Sequence, residues 1–204
     1  MSLLILLRHG QSTWNAENRF TGWVDTPLSA EGREEARRGG ERLASQRVSV
    51  DRAFTSTLIR AIDTGRIVLD ELGQQNLEQV RAWQLNERFY GALTGRNKAQ
   101  TAEEFGSEQV HIWRRSYDIA PPGGESLADT ARRTLPYFNA VVLPATREVA
   151  TVLMSAHGNS LRSIVKELDG LDDDAVTRLE IPTGVPVVYE LDGDGQALDK
   201  RIVQ

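Results

Sequence analysis

Two apolar runs constrain what this chain can fold into more than any other feature. Leu3-Leu4-Ile5-Leu6-Leu7 breaks at Arg8-His9-Gly10, and Val149-Ala150-Thr151-Val152-Leu153-Met154 breaks at Ser155-Ala156-His157-Gly158-Asn159. Continuous rather than alternating apolar runs of this length suit strands covered on both faces, the strands of parallel sheets. Each run delivers a His-Gly pair at its C-terminal edge, where open α/β sheets bind ligands. Two of the three histidines, His9 and His157, are therefore expected to share a site. The third, His111, is read onto a surface helix and matches no motif.

Helical patterns lie between the two runs. Ser29 is expected to cap a helix running to about Ser45, weakened in its middle by Gly39-Gly40. A strand at Arg52 to Thr55 leads to Ser56, read as the cap of a helix carrying Leu58, Ala61, Ile62, Ile67, Val68 and Leu72. Further helices are expected at Lys98 to Phe105, Glu108 to Tyr117 and Ser160 to about Leu168. Another starts at Ser126-x-x-Asp129, and Pro136 is expected to kink or restart it. Asp192-Gly193-Asp194-Gly195 punctuates a hairpin between Val185 to Leu191 and Ala197 to Val203. Strands alternating with helices predict a three-layer α/β/α sandwich with a mostly parallel central sheet. No repeat, low-complexity stretch or shift of composition divides the sequence, so residues 1–204 are expected to form a single catalytic domain.

Composition narrows the chemistry. Without cysteine there are no disulfides, thiolate nucleophiles or Cys-ligated metals. Leu3 to Leu7 is too short for a membrane span and lacks the flanks of a secretory signal, so a cytoplasmic setting is expected. A formal net charge of −5 argues against nucleic acid or an anionic membrane as partner. Yet 21 of the 24 basic residues are arginine, the side chain that holds anions through several fixed hydrogen bonds. A local anion site fits both facts. At its first candidate, Arg8 supplies a cation and Gly10 lets a ligand approach the backbone. The residues after Gly10 are expected to open a helix whose N–H groups favour an anion. Trp14, Trp23, Trp83 and Trp113 are too dispersed for a nucleic-acid platform and are assigned to core or site-wall packing.

Arg8-His9-Gly10 after an N-terminal strand resembles the signature of the histidine phosphatase superfamily, also called the phosphoglycerate mutase-like family. The resemblance implies that His9 is a nucleophile that becomes phosphorylated. His157-Gly158 looks like that family's second catalytic histidine, and Arg60 in Thr55-Ser56-Thr57-Leu58-Ile59-Arg60-Ala61 like its second phosphate-pocket arginine. A finer match is to the branch of 2,3-bisphosphoglycerate-dependent phosphoglycerate mutases. It rests on Arg19-Phe20-Thr21-Gly22-Trp23, Leu85-Asn86-Glu87-Arg88-Phe89-Tyr90-Gly91, Trp113-Arg114-Arg115 and Ile181-Pro182-Thr183-Gly184-Val185-Pro186. These segments span nearly the whole chain.

What the resemblance implies has its own physical logic. Phosphoryl transfer needs an unprotonated nucleophile and neutralisation of the equatorial oxygens. Arg8 and Arg60 would serve both needs, favouring neutral His9 and holding the phosphoryl group. Glu87 would exchange protons with the two substrate hydroxyls. Arg114 and Arg115 would bind the far end of a phosphoglycerate, with Arg88, Tyr90 and Lys98 at the rim. Ser12, Asn15, Thr21, Gly22, Gly158 and Asn159 complete the expected binding set. His9 would pass its phosphoryl group to a monophosphoglycerate, and 2,3-bisphosphoglycerate would serve as intermediate and primer. No metal ligand set is evident, so metal-independent transfer is expected.

Two other functions fit the same residues. One is a phosphomonoesterase, in which water takes the phosphoryl group; Arg114, Arg115 and Lys98 favour the mutase over it. The other is a phosphate-ligand sensor with a dead site, against which His9, Glu87 and His157 all argue. The stretch from Tyr117 to Glu125 is short, and the sequence ends soon after its last strand. Many mutases carry a longer insertion and a mobile tail there, so site closure and subunit number stay open, a homo-oligomer included.

Overall fold

The structure, a computed structural model, describes residues 1–204. The chain begins with β1 (Ser2–Arg8), α1 (Thr13–Ala16), α2 (Ala30–Ser45), β2 (Arg52–Thr55), α3 (Ile59–Glu71) and β3 (Gln79–Arg81). Next come α4 (Lys98–Phe105), α5 (Ser107–Arg115), α6 (Leu127–Tyr137) and α7 (Leu143–Glu148). It closes with β4 (Thr151–Ala156), α8 (Gly158–Asp169), α9 (Asp173–Arg178), β5 (Pro186–Leu191) and β6 (Ala197–Ile202). One six-stranded sheet runs in the order β3-β2-β4-β1-β5-β6. The first four strands in that order are parallel, and the β5–β6 hairpin adds two antiparallel strands at one edge.

The apolar runs occupy the centre of the sheet because both of their faces are covered. Leu4 and Leu6 of β1 join the core built with Phe138, Val142, Leu161 and Ile164. Ile5 and Leu7, on the opposite face, pack with Leu43, Val68 and Leu69 of α2 and α3. Burial of each such side chain contributes roughly 1.5–3 kcal/mol, so the run needs no polar face. The expected three-layer sandwich is the observed one. β1 and β4 pair in register, Leu7 opposite Ser155 and Arg8 opposite Ala156. That register brings His9 and His157 out together.

Most expected elements appear near their expected bounds, and the differences have local causes. Ser29 caps α2 through Gly32 N, and Ser126 with Asp129 forms a capping box on α6. Ser56 does not cap α3: the helix starts at Ile59, whose N–H donates to Asp25 Oδ1 at 2.6 Å. The break at Pro136 takes the form of a π turn at Phe138–Val142 between α6 and α7. α8 begins two residues earlier than expected, directly after His157. Gly39 and Gly40 sit where Gly184 O and the Glu71 side chain pass too close for any Cβ. No helix is long and apolar enough to cross a membrane.

Candidate active site

The C-terminal ends of β1 and β4 open on a cleft of about 170 Å³. His9 follows β1, its backbone N–H bonded to Ala156 O of the neighbouring strand at 3.0 Å. Its imidazole is buried, and Nδ1 lies 2.6 Å from Gly10 O. A carbonyl can only accept, so Nδ1 carries the proton and Nε2 keeps its lone pair. Burial, and then the charges of Arg60 and Arg8, hold the His9 pKa well below the ordinary imidazole value. The two arginines are legible in the sequence, whereas burial, the larger cause, is not.

His157 lies behind His9, fully buried, with ring centroids 4.8 Å apart. Burial, followed by Arg60 and His9, pushes its pKa far down as well. Arg60 is buried at the head of α3, and its guanidinium donates to Val24 O at 2.9 Å and Gly22 O at 2.7 Å. Burial lowers its pKa to about 10, leaving it a cation at neutral pH. Arg8 donates to Ile181 O at 2.8 Å while its Nε has no partner. Arg88 donates to Arg114 O at 3.0 Å and leaves Nε and one terminal nitrogen unpartnered. Buried polar groups without partners are costly. Unsatisfied guanidinium donors lining a cleft fit an anion that completes them.

Glu87 sits on an irregular segment, between two short 3₁₀ turns, with its carboxylate in the cleft. Its Oε1 accepts from Arg88 N at 2.7 Å and from Asn159 Nδ2 at 2.7 Å. Burial alone would raise its pKa. The Arg88 N–H, Asn159 and the charges of Arg88 and Arg8 outweigh it and hold the carboxyl below its ordinary value. Glu87 is therefore an anion, a proton acceptor, in the unliganded protein.

That segment is held by a residue with no sequence signal. Arg133 of α6 donates to the carbonyls of Gln84, Asn86 and Glu87, all within 3.0 Å, and pairs through two nitrogens with Glu125. Trp23 Nε1 donates to Glu87 O at 2.6 Å. Trp23 and Trp83, far apart in sequence, meet with ring centroids 6.1 Å apart, and Phe89 joins Trp23 at 5.9 Å. The three rings form a half-exposed cluster rather than core.

The cleft gathers Arg8, His9, Asn15, Thr21, Gly22, Arg60, Glu87, Arg88, Tyr90, Lys98, Arg114, Arg115, Gly158 and Asn159 from the expected set. Arg19, Phe20, Arg162 and Glu180 also line it and were not expected as site residues. Glu180 pairs with Arg115 at 2.5 Å and Arg162 at 3.6 Å. Three expectations at the first strand end are corrected. Ser12 does not line the cleft: it is fully buried, and its hydroxyl caps α1 through Asn15 N at 3.2 Å. The start of α1 thereby spends the N–H of Asn15 on Ser12 and that of Thr13 on Pro27 O, inside the protein rather than on an anion. Nor does Gly10 make room for a ligand. A Cβ there would stand 2.0 Å from Gly32 O, so the missing side chain serves the packing of α2.

A neutral, buried imidazole among guanidinium groups, at the carboxyl edge of a parallel sheet, defines a phosphate-handling α/β protein. The chain belongs to the histidine phosphatase superfamily (branch 1), whose family model matches residues 4–203. It is 52% identical over 202 residues to a phosphoglycerate mutase of Schizosaccharomyces pombe, covering 99% of this chain and 96% of that protein. It is 53% identical to a 2,3-bisphosphoglycerate-dependent phosphoglycerate mutase of Parvibaculum lavamentivorans, again over 99% and 96% of the two lengths. Among solved structures, a mycobacterial glucosyl-3-phosphoglycerate phosphatase complexed with VO3 superposes with a TM-score of 0.83 at 27% identity, covering 99% of this chain and 97% of that one.

Proposed function

We propose that this chain is a 2,3-bisphosphoglycerate-dependent phosphoglycerate mutase, interconverting 3-phosphoglycerate and 2-phosphoglycerate in glycolysis and gluconeogenesis. The observation that carries this reading is the reach of the cationic cleft. Beyond the histidine end, with Arg8 and Arg60, it continues to Arg88, Lys98, Arg114, Arg115 and Arg162. A monophosphate ester needs only the first end. A substrate with a carboxylate and two hydroxyls that exchange a phosphoryl group needs both. Mutase names on relatives near 50% identity support the same choice.

In this reading 2,3-bisphosphoglycerate supplies the phosphoryl group that loads His9 Nε2. The unpartnered nitrogens of Arg8 and Arg88 fit its anionic groups. Glu87, ionised, takes the proton of the substrate hydroxyl as that oxygen bonds to phosphorus and the His9 N–P bond breaks. In the return transfer Glu87 gives the same proton to the departing oxygen, while His9 is loaded again. Neither half needs a metal, and residues 1–204 work as one catalytic domain. The partners are small phosphoglycerates, and the setting is the cytoplasm.

A coupled assay on 3-phosphoglycerate, with and without added 2,3-bisphosphoglycerate and with chelator, tests the reading. Turnover that requires the bisphosphate and survives chelation is expected. Dominant release of inorganic phosphate would instead favour the phosphomonoesterase, the class of the mycobacterial glucosyl-3-phosphoglycerate phosphatase.

A further inference from the structure

We propose that Ser56 is a positioning residue: it fixes His157 in the tautomer that carries its proton on Nδ1 and presents that N–H to the phosphoryl group held at His9. The inference rests on the functional reading above for the group presented to, but not for the tautomer itself.

The assignment follows from counting protons in a closed space. Ser56 is fully buried, and its hydroxyl has one proton to give and lone pairs to accept with. Leu58 N–H donates to Ser56 Oγ at 3.2 Å. The only other partner of Oγ is His157 Nε2, at 2.7 Å. Were Nε2 protonated, the hydroxyl would accept twice and its own proton would be stranded in the core. The satisfied arrangement has Ser56 O–H donating to an unprotonated Nε2. A neutral imidazole then carries its proton on Nδ1, which is buried without a partner in the protein. In the other tautomer a lone pair would occupy Nδ1 and repel the oxygens of a phosphoryl group. Ser56 belongs to the turn between β2 and α3, and the first N–H of that helix, at Ile59, donates to Asp25 Oδ1 instead. The hydroxyl is therefore free of the capping work its sequence position suggests.

Nitrogen-15 NMR of the unliganded protein, read at the His157 ring above pH 7, reports the tautomer directly. The proton is expected on Nδ1 in the wild type and distributed over both nitrogens in Ser56→Ala. Loss of such a ring-orienting partner lowers function roughly 10–100-fold. That loss is expected in kcat of Ser56→Ala, with KM for 3-phosphoglycerate nearly unchanged and with Ser56→Thr, which keeps a hydroxyl, restoring most of it. A wild-type His157 protonated on Nε2, or a folded Ser56→Ala with wild-type kcat, would overturn the proposal. If Ser56→Ala does not fold, the wild-type spectrum and Ser56→Thr still decide it. A wild type with Nδ1–H on His157 and no mutase turnover would sink the mutase reading while supporting the tautomer.

Discussion

His9 and His157 leave adjacent parallel strands at the same level, each followed by glycine, yet their surroundings set opposite chemistry. His9 spends its Nδ1 proton on the Gly10 carbonyl and keeps a bare Nε2. His157 meets the Ser56 hydroxyl at Nε2 and keeps a polar Nδ1 without a partner. One ring offers an electron pair and the other a proton. The two glycines differ as well. A Cβ on Gly10 would stand 2.0 Å from the Gly32 carbonyl, whereas on Gly158 its nearest neighbour would be Arg8 Nε at 3.6 Å, an ordinary contact. Identical dipeptides on equivalent strands thus differ in whatever the next layer of residues presents.

The largest expected effect separates the two rings. His9→Ala removes the nucleophile, and mutase turnover falls by roughly 10⁴-fold or more. His157→Ala removes one donor to the transferring group and costs roughly 10²–10³-fold, with slow phosphorylation of His9 still detectable on a stopped time course. Equal losses in the two variants would erase the distinction. Glu87→Gln keeps shape but not the proton acceptor, and a loss of roughly 10²–10³-fold in kcat is expected.

The glycines come next. Gly10→Ala drives a Cβ into backbone that cannot swing aside, and denaturant unfolding is expected to show a loss of roughly 3 kcal/mol. Gly158→Ala, in the first turn of α8, stays within roughly 1 kcal/mol of wild type. Its expected cost is in substrate affinity, because the methyl would enter the cleft beside Arg8 and Glu87.

The two rings also share a pH dependence. Both histidines have folded pKa values lowered from about 6.5, so the unfolded chain binds more protons just below that pH. Their stability contribution is present above about pH 6.5 and is lost as pH falls toward the folded values. Glu87, lowered from its ordinary carboxyl value, adds the same sign of loss in a more acidic window. A urea midpoint that rose on acidification from pH 7 to 5 would contradict the buried, neutral state of the two rings.

Legibility in the sequence followed the range of the interactions. The bounds of β2 and α4, the cap at Ser29 and the hairpin at Asp192-Gly195 rest on neighbouring residues and were readable. The central strands were readable because burial on two faces leaves a continuous apolar run. Arg133 clasping the Glu87 segment from 46 to 49 residues away was not. Nor was Ser56 meeting His157 across 101 residues, or Trp23 meeting Trp83. Ser12 and Ser56 both carry cap-forming side chains, and only the tertiary fold decides which one caps. Most of the cleft was legible through the family resemblance. Arg162 and Glu180 were not, since the register of α8 and the turn after α9 bring them to the cleft.

The most direct test of the central claim is where a phosphoryl group settles. After incubation with 2,3-bisphosphoglycerate, nitrogen–phosphorus couplings in the isotopically labelled protein identify the phosphorylated ring atom. An acid-labile phosphoryl group on Nε2 of His9, absent from His9→Ala, is expected. Phosphorylation of His157, or of Nδ1 on His9, would contradict the division of roles between the two strand ends.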